Sequence, residues 1–338
     1  MSSSEKIQNA LPLSLRNDLT FSEKMQQLKV VRYGKLILQD WRLYTLLAPI
    51  IIWFILFQYK PMGGLLIAFK DYRPNLGVMD SNFVGFHHFQ TIISGIYASQ
   101  FWSAFRNTVV ISLYNLIFSF PLPILIAIMM AELGNLRYRK LVQTLTFLPY
   151  FLSEVVITGL VITLVYKGPV STGVIAQFLM NLGLVPAGTN MIQEAQYFRP
   201  LFVITGIWQG TGYNSIIYFA AAMGVSPTLY EALKVDGGNK LQEIRYITLP
   251  GMAPTLITMI VLQMGNLLNI GYERIILLYN ANTYQSADVI SSFVFRMGLE
   301  GGNSAMGAAA GMFNSLVGFA LVVGANYIAR KISNSSLW

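Results

Sequence analysis

Along this 338-residue chain, apolar runs long enough to cross a bilayer alternate with shorter polar segments. A membrane-crossing helix needs roughly 20 apolar residues. Backbone groups in lipid must satisfy one another internally, so continuous runs of this kind predict helices. Six are read: Leu43–Tyr59, Asn107–Ala131, Leu141–Tyr166, Pro200–Met223, Met252–Gly271 and Ala305–Ala329. The first contains Pro49 and is followed by a break, Pro61-Met62-Gly63-Gly64, and by a patch, Leu65 to Phe69, too short to span and placed at the interface. The short alternating strands of an outer-membrane barrel are not visible, and no convincing internal repeat is evident. The fold class is therefore all-α integral membrane, with a six-span domain over 43–331. Residues 1–42 form a polar, basic leader in which Leu28 to Trp41 mixes apolar and cationic residues, as expected of an interfacial helix.

Composition agrees: 54% of residues are hydrophobic and 11% charged, against about 25% charged in soluble domains. The net charge of +8 does not point to nucleic acid, because the cations flank apolar spans. Lys and Arg are concentrated in 1–42, in the loop 132–140 (Arg137, Arg139, Lys140), in the segment before the fifth span (Lys234, Lys240, Arg245) and in the tail (Arg330, Lys331). The positive-inside rule puts these, and both termini, in the cytoplasm. About 60–106, 167–199 and 272–304 then face outward. With no cysteine, disulfides and thiol chemistry are excluded. No cleavable signal is expected, since a long polar stretch precedes the first apolar run.

The polar segment 224–251 carries the most specific pattern: Glu231-Ala232-Leu233-Lys234-Val235-Asp236-Gly237, then, after nine intervening residues, Ile247-Thr248-Leu249-Pro250. Pro227 to Val235 reads as one helix, with Ser226 at its N-cap and Pro227 at its first position. Gly237-Gly238 breaks it. Asn239 caps a second helix, Lys240 to Ile247, which Leu249-Pro250 ends. A helix–turn–helix of this kind can plug a partner's groove with Leu229, Ala232, Leu233 and Ile244 as apolar anchors. Glu231 is placed either against a cation of that partner or as an internal brace.

This spacing resembles the cytoplasmic coupling loop of permease subunits in ATP-driven (ABC-type) importers, and within them the maltose-importer-like group. Asn82-Phe83-Val84-Gly85-Phe86 with Phe89, Phe101 with Asn107-Thr108, and Leu148-Pro149 are similar to that family's motifs. Pro61 to Tyr72, Gly271 to Asn280 and Ala287-Asp288-Val289-Ile290 resemble the oligosaccharide permeases that include aldouronate transporters. Two positions depart from the pattern: Leu233 stands where alanine is frequent, and Gly238 where alanine is usual. Glu154 lies where the family commonly has a large apolar or aromatic residue. The resemblance implies the type I importer permease fold and a complex with a second permease, two ATPase subunits and an extracytoplasmic solute-binding protein, in a bacterial cytoplasmic membrane. Its coupling residues would be Glu231, Ala232, Leu233, Asp236, Gly237, Ile247, Leu249 and Pro250.

Polar side chains inside apolar spans are costly and tend to face the bundle interior or an aqueous path. The candidate pathway set is Glu154, Gln209, Tyr213, Asn214, Gln263, Asn266 and Asn269. Thr211, Asn314 and Ser315 are further polar span residues. Gln209 with Tyr213, and Asn266 with Asn269, have spacings that share a helical face. Amides and hydroxyls both donate and accept, which suits sugar hydroxyls. Trp208, Tyr213 and Tyr218 offer rings. For each such residue the competing role is helix-to-helix hydrogen bonding. Gly307, Ala308, Ala310 and Gly311 read as close-packing positions. Glu154 needs a partner, water or protonation. His87-His88, taken as an extended segment, would point apart and cannot share a metal. The chain carries no phosphate-loop, H-E-x-x-H or G-x-S-x-G pattern. It is read as a non-catalytic subunit with no cofactor of its own, ATP and Mg being bound by the partner ATPase. The competing reading is a secondary transporter driven by an ion gradient, for which Glu154 is the one coupling carboxylate in a span.

Overall fold

The computed structural model describes residues 40–333. The expected interfacial helix and most of the 1–42 leader lie outside those residues. Two compact units divide at Gly64. The first contains α1 (Trp41–Phe54), with Pro49 inside it, followed by a π turn, Ile55–Tyr59, and an α turn, Lys60–Met62. Pro61 therefore does not break the helix where the sequence suggested. It occupies one of the first two positions of the new turn, where a missing N–H costs little.

The second unit opens with a 3-10 turn, Gly63–Phe69, that starts at the boundary, and a two-stranded antiparallel pair, β1 (Lys70–Asp71) with β2 (Asn82–Phe83). Besides the short helices Gly77–Asp80, Val174–Asn181 and Tyr284–Ala287, its helices are α2 (His87–Ile93), α3 (Ala98–Glu132), α4 (Leu136–Phe147), α5 (Glu154–Val165), α6 (Ala195–Met223), α7 (Pro227–Val235), α8 (Lys240–Gly265), α9 (Tyr272–Leu278), α10 (Ile290–Phe295) and α11 (Ser304–Ser333). Four stretches among the described residues are long and apolar enough to cross a membrane: Trp41–Phe69, α3, α8 and α11. Two bent pairs bring the number to six if each counts as one span: Leu136–Phe151 with α5, and α6 with α7.

The third expected span is thus not a straight helix. The chain bends by 99° between Phe151 and Glu154. Pro149 sits in a 3-10 turn there, and Ser153 restarts the helix by accepting from the Val156 N–H at 3.4 Å. The fifth also differs. Its helix begins at Lys240, runs through Leu249-Pro250 without ending, and stops at Gly265. A π turn, Ile244–Thr248, precedes Pro250. Asn266 to Asn269 are consequently not on one helical face.

That irregular stretch is held by side chains. Ser112 donates to the Leu267 carbonyl, Asn314 to Leu268 at 3.2 Å and Ser291 to Ile270 at 2.8 Å. Non-helical backbone at membrane depth requires such partners, so Asn314 acts here as a brace. Four apolar clusters hold the helices, the smallest of them around Val165, Ala176, Val185 and Met191. Phe101, Ala104, Phe293 and Ala310 join α3, α10 and α11. Ile111, Phe202 and Ile275 join α3, α6 and α9. Ala127, Tyr218 and Met252 join α3, α6 and α8. Two glycines permit close approach, as expected of Gly307. A Cβ at Gly307 would lie 3.0 Å from the Gly298 Cα, and one at Gly212 would collide with the Thr146 carbonyl.

Candidate translocation site and coupling face

The π turn Asn115–Ser119 in α3 faces the irregular end of α8. Between them lies a cavity of about 470 Å³ that Glu154, Gln263, Asn266, Asn269, Tyr272 and Arg274 help to line. A second cavity, of about 570 Å³, is lined by Tyr213, Asn214 and Tyr218 and shares Ser119, Gln263 and Asn266 with the first. Six of the seven candidate pathway residues thus line one cavity or both. The seventh, Gln209, accepts from the Arg274 guanidinium. Gln263, Asn266 and Asn269 have exposed side chains, so their amides are available to a ligand. Thr211 is not: it is buried and bonded to the Ile207 carbonyl.

Glu154 is paired with Arg274, whose Nη1 also reaches the Phe202 carbonyl at 3.4 Å while the guanidinium lies 5.3 Å from the Phe202 ring centre. The relative exposure of the two charged side chains is 14% for Arg274 and 21% for Glu154. Sequence reasoning did not single out Arg274, which sat in an expected outer loop. It also passed over Ser112, Asn115 and Ser119, whose spacing of three and four in an apolar span was a usable signal. Of the three proposed rings, Tyr218 is buried, and Trp208 lines neither cavity. Tyr213 is stacked on Tyr150, centroids 3.8 Å apart and planes 3° apart.

At the other end, α7 spans the expected Pro227–Val235, and Asn239 and Gln242 form a reciprocal capping box. Ser226 bonds the Thr228 hydroxyl at 2.8 Å and makes no backbone cap. Gly237 has φ +76°, a left-handed value that glycine adopts without strain. Lys240 pairs with both Glu132 and Glu243, tying the start of α8 to the end of α3. Tyr230 and Thr248 share a hydroxyl bond at 3.0 Å. Leu229 and Ala232 are exposed, but Ile244 packs inward against the α3–α6–α8 cluster. Val235 (87% exposed) and Leu241 (78%) present the outward apolar surface instead.

The family motif Asn107-Thr108 and the subgroup motif Ala287-Asp288-Val289-Ile290 prove to be one bracket. Asn107 donates to the carbonyls of Gln285 and Asp288, both at 3.0 Å, and accepts from Arg199 at 2.9 Å. Thr108 accepts from the Ile290 N–H. Asp288 meets Arg296 through both carboxylate oxygens, at 2.9 and 2.7 Å, and that bonding raises the Arg296 pKa from its ordinary value. In the early motif, Phe69, Phe86 and Phe89 form an aromatic cluster and Gly85 turns at φ +60°. His87 and His88 begin α2, not an extended segment. His88 is buried and bonds the Lys70 carbonyl at 3.0 Å. Among the described residues no group of three potential ligands is placed to hold a metal.

Residues 92–334 match the model of a family described as the binding-protein-dependent transport system inner membrane component. The chain belongs to this family. It is a permease of the inner membrane and a non-catalytic subunit of an ATP-driven importer of the ABC class. Its partners are another permease, ATPase subunits and a solute-binding protein. That assignment displaces the ion-gradient alternative. Relatives in Bacillus subtilis include protein LplB, 36% identical across 89% of this chain and 92% of that one. The polygalacturonan/rhamnogalacturonan transport system permease YteP is also 36% identical, across 90% and 92%. A crystal structure of a bacterial ABC transporter involved in import of the acidic polysaccharide alginate includes a chain that is 42% identical. The match covers 89% of this chain and 99% of that one, with a TM-score of 0.79.

Proposed function

We propose that this permease forms half of the translocation pathway for an oligosaccharide, with Glu154, Gln209, Tyr213, Asn214, Gln263, Asn266 and Asn269 along it. The observation that carries this is the pair of cavities meeting at Ser119, Gln263 and Asn266. Their walls offer amides, hydroxyls and an aromatic ring. Groups that donate and accept together match sugar hydroxyls, and concave sites with few, convergent polar groups are the usual form of small-molecule sites. The sugar cargoes named for YteP and for the alginate importer point the same way.

In this reading 224–251 is the cytoplasmic coupling loop within the 43–331 membrane domain, residues 1–42 and the tail lie in the cytoplasm, and ATP with Mg is bound by the ATPase partners of a bacterial cell. Glu231 and Asp236, exposed beside Val235 and Leu241, would meet the ATPase. The test is purification from native membranes in mild detergent, with mass spectrometry of what accompanies the chain. The complex is then reconstituted and assayed for ATP-dependent uptake of labelled oligosaccharides. Uptake of at least one glycan class is expected; an intact complex that moves none across a panel of neutral and acidic oligosaccharides overturns the reading.

A further inference from the structure

The charged pair in the first cavity is built unequally. Arg274 keeps its place without Glu154: Gln209, the Phe202 carbonyl and the Phe202 ring all hold the guanidinium. Gly206 makes the room, since a Cβ there would lie 2.7 Å from Arg274 Nη1. Glu154 has a second source of stabilisation. It is the first residue of α5, in the turn where unpaired N–H groups and the helix dipole favour an anion. If Arg274 turned to another anion, Glu154 would not be stranded. The neighbouring acid, Glu273, also lines this cavity, but its side chain is exposed to water, which screens its charge. The amides of Asn266, Asn269 and Gln263 complete the lining. A fixed, planar guanidinium beside amides is the donor set that suits a carboxylate flanked by hydroxyls.

We propose that Arg274 reads the carboxylate of an acidic (uronate) oligosaccharide, and that Glu154 occupies that position while the cavity is empty. This rests on the oligosaccharide reading and deepens it. Entry of a uronate exchanges one carboxylate for another on Arg274, with no bond made or broken. Arg274 thereby becomes a specificity-determining residue, and Glu154 a competitor that keeps the guanidinium neutralised between substrates. The carboxylate recognised is the one a uronic acid carries and a neutral xylose or glucose unit lacks.

The two members of the pair therefore have opposite effects, which a purely structural bridge does not produce. The probe is a labelled uronate oligosaccharide, alginate or oligogalacturonate, taken up by the reconstituted complex with its binding protein at saturation. Arg274→Gln is expected to raise the apparent KM about tenfold or more, the loss appropriate to one charge-assisted contact. Arg274→Lys should recover part of it. Glu154→Gln is expected to lower the KM severalfold, because the competing charge is gone. Uptake impaired by both substitutions alike, chiefly in maximal rate, would overturn the proposal and leave the pair as a brace. Where Arg274→Gln fails to assemble, the direction of the Glu154→Gln effect decides alone. A wild-type complex that moves neutral but not uronate oligosaccharides refutes this inference while the proposed function stands. One that moves no oligosaccharide refutes both.

Discussion

The two departures in the proposed coupling segment compensate each other, and a double-mutant cycle can show it. A Cβ built on Gly238 would fall 2.7 Å from Leu233 Cδ1 and nearer still to its Cγ. Gly238 is outside the left-handed region, so the obstacle to alanine there is steric, and the three nearest atoms all belong to the Leu233 side chain. Leu233, larger than the alanine frequent at its position, fills the space that a methyl at 238 would take. Gly238→Ala alone overpacks the turn, which costs roughly 1–3 kcal/mol. Leu233→Ala alone leaves a gap beside a half-buried site, a loss of about 1–2 kcal/mol, below the range for fully buried leucines. Together they replace one filling by another, so the double variant should fall short of the sum by roughly 0.5–3 kcal/mol. The assay is the thermal midpoint of the purified permease–ATPase complex, followed by the ratio of uptake to ATP hydrolysed. Gly238→Ala should lower both, and adding Leu233→Ala should recover them. Additivity within about 0.5 kcal/mol, with no recovery of coupling, would refute the compensation.

Gly237→Val probes backbone conformation without a clash, since nothing lies within 4 Å of the added Cβ while φ is +76°. It should cost roughly 1–2 kcal/mol and lower uptake per ATP hydrolysed while the protein still reaches the membrane; unchanged uptake would count against the coupling role of the turn. Gly212→Ala drives a methyl into the Thr146 carbonyl, with the Phe147 nitrogen 3.0 Å away. It should separate α6 from α4 and sharply reduce the yield of monodisperse complex in size-exclusion chromatography. Asn107→Ala strands two carbonyls and Arg199. Each stranded buried group costs about 1–3 kcal/mol, so a clear fall in thermal midpoint is expected, and an unchanged midpoint would mean that water replaces the amide.

What could be read in advance was what neighbours in sequence determine. Ser226-Pro227 and Gly237-Gly238-Asn239 set α7 and the start of α8 within a few residues, so helix limits, turn and cap were legible. Leu249-Pro250 misled because proline at the start of a helical turn is compatible with continuation, and the π turn before it carries the helix across. The bend at Ser153 was hidden by an apolar run that periodicity treats as continuous, although Pro149 and Ser153 are in retrospect a stop and a start.

The site divides in the same way. Gln263, Asn266 and Asn269 announce themselves as polar residues in an apolar span, and they do line the cavity, Gln263 from the last turn of α8 and the two asparagines from the irregular backbone beyond it, not from one helix face. Arg274 does not, because in sequence it is one cation in a loop. Its meaning comes from Glu154, 120 residues away, and from Gln209, 65 away. The discomfort of Glu154 in an apolar segment was visible, and the physics demanded a partner. Which cation supplied it depended on the irregular backbone after Gly265 directing α9 back towards α5. Three side chains from α3, α10 and α11 hold that backbone, and none of them is recognisable as its support from its own segment of sequence. Side chains whose role is to hold non-helical backbone inside the membrane thus decide where the charges meet. Loss of the Ser112, Ser291 or Asn314 hydroxyl or amide should therefore disturb the Glu154–Arg274 pair without touching either residue.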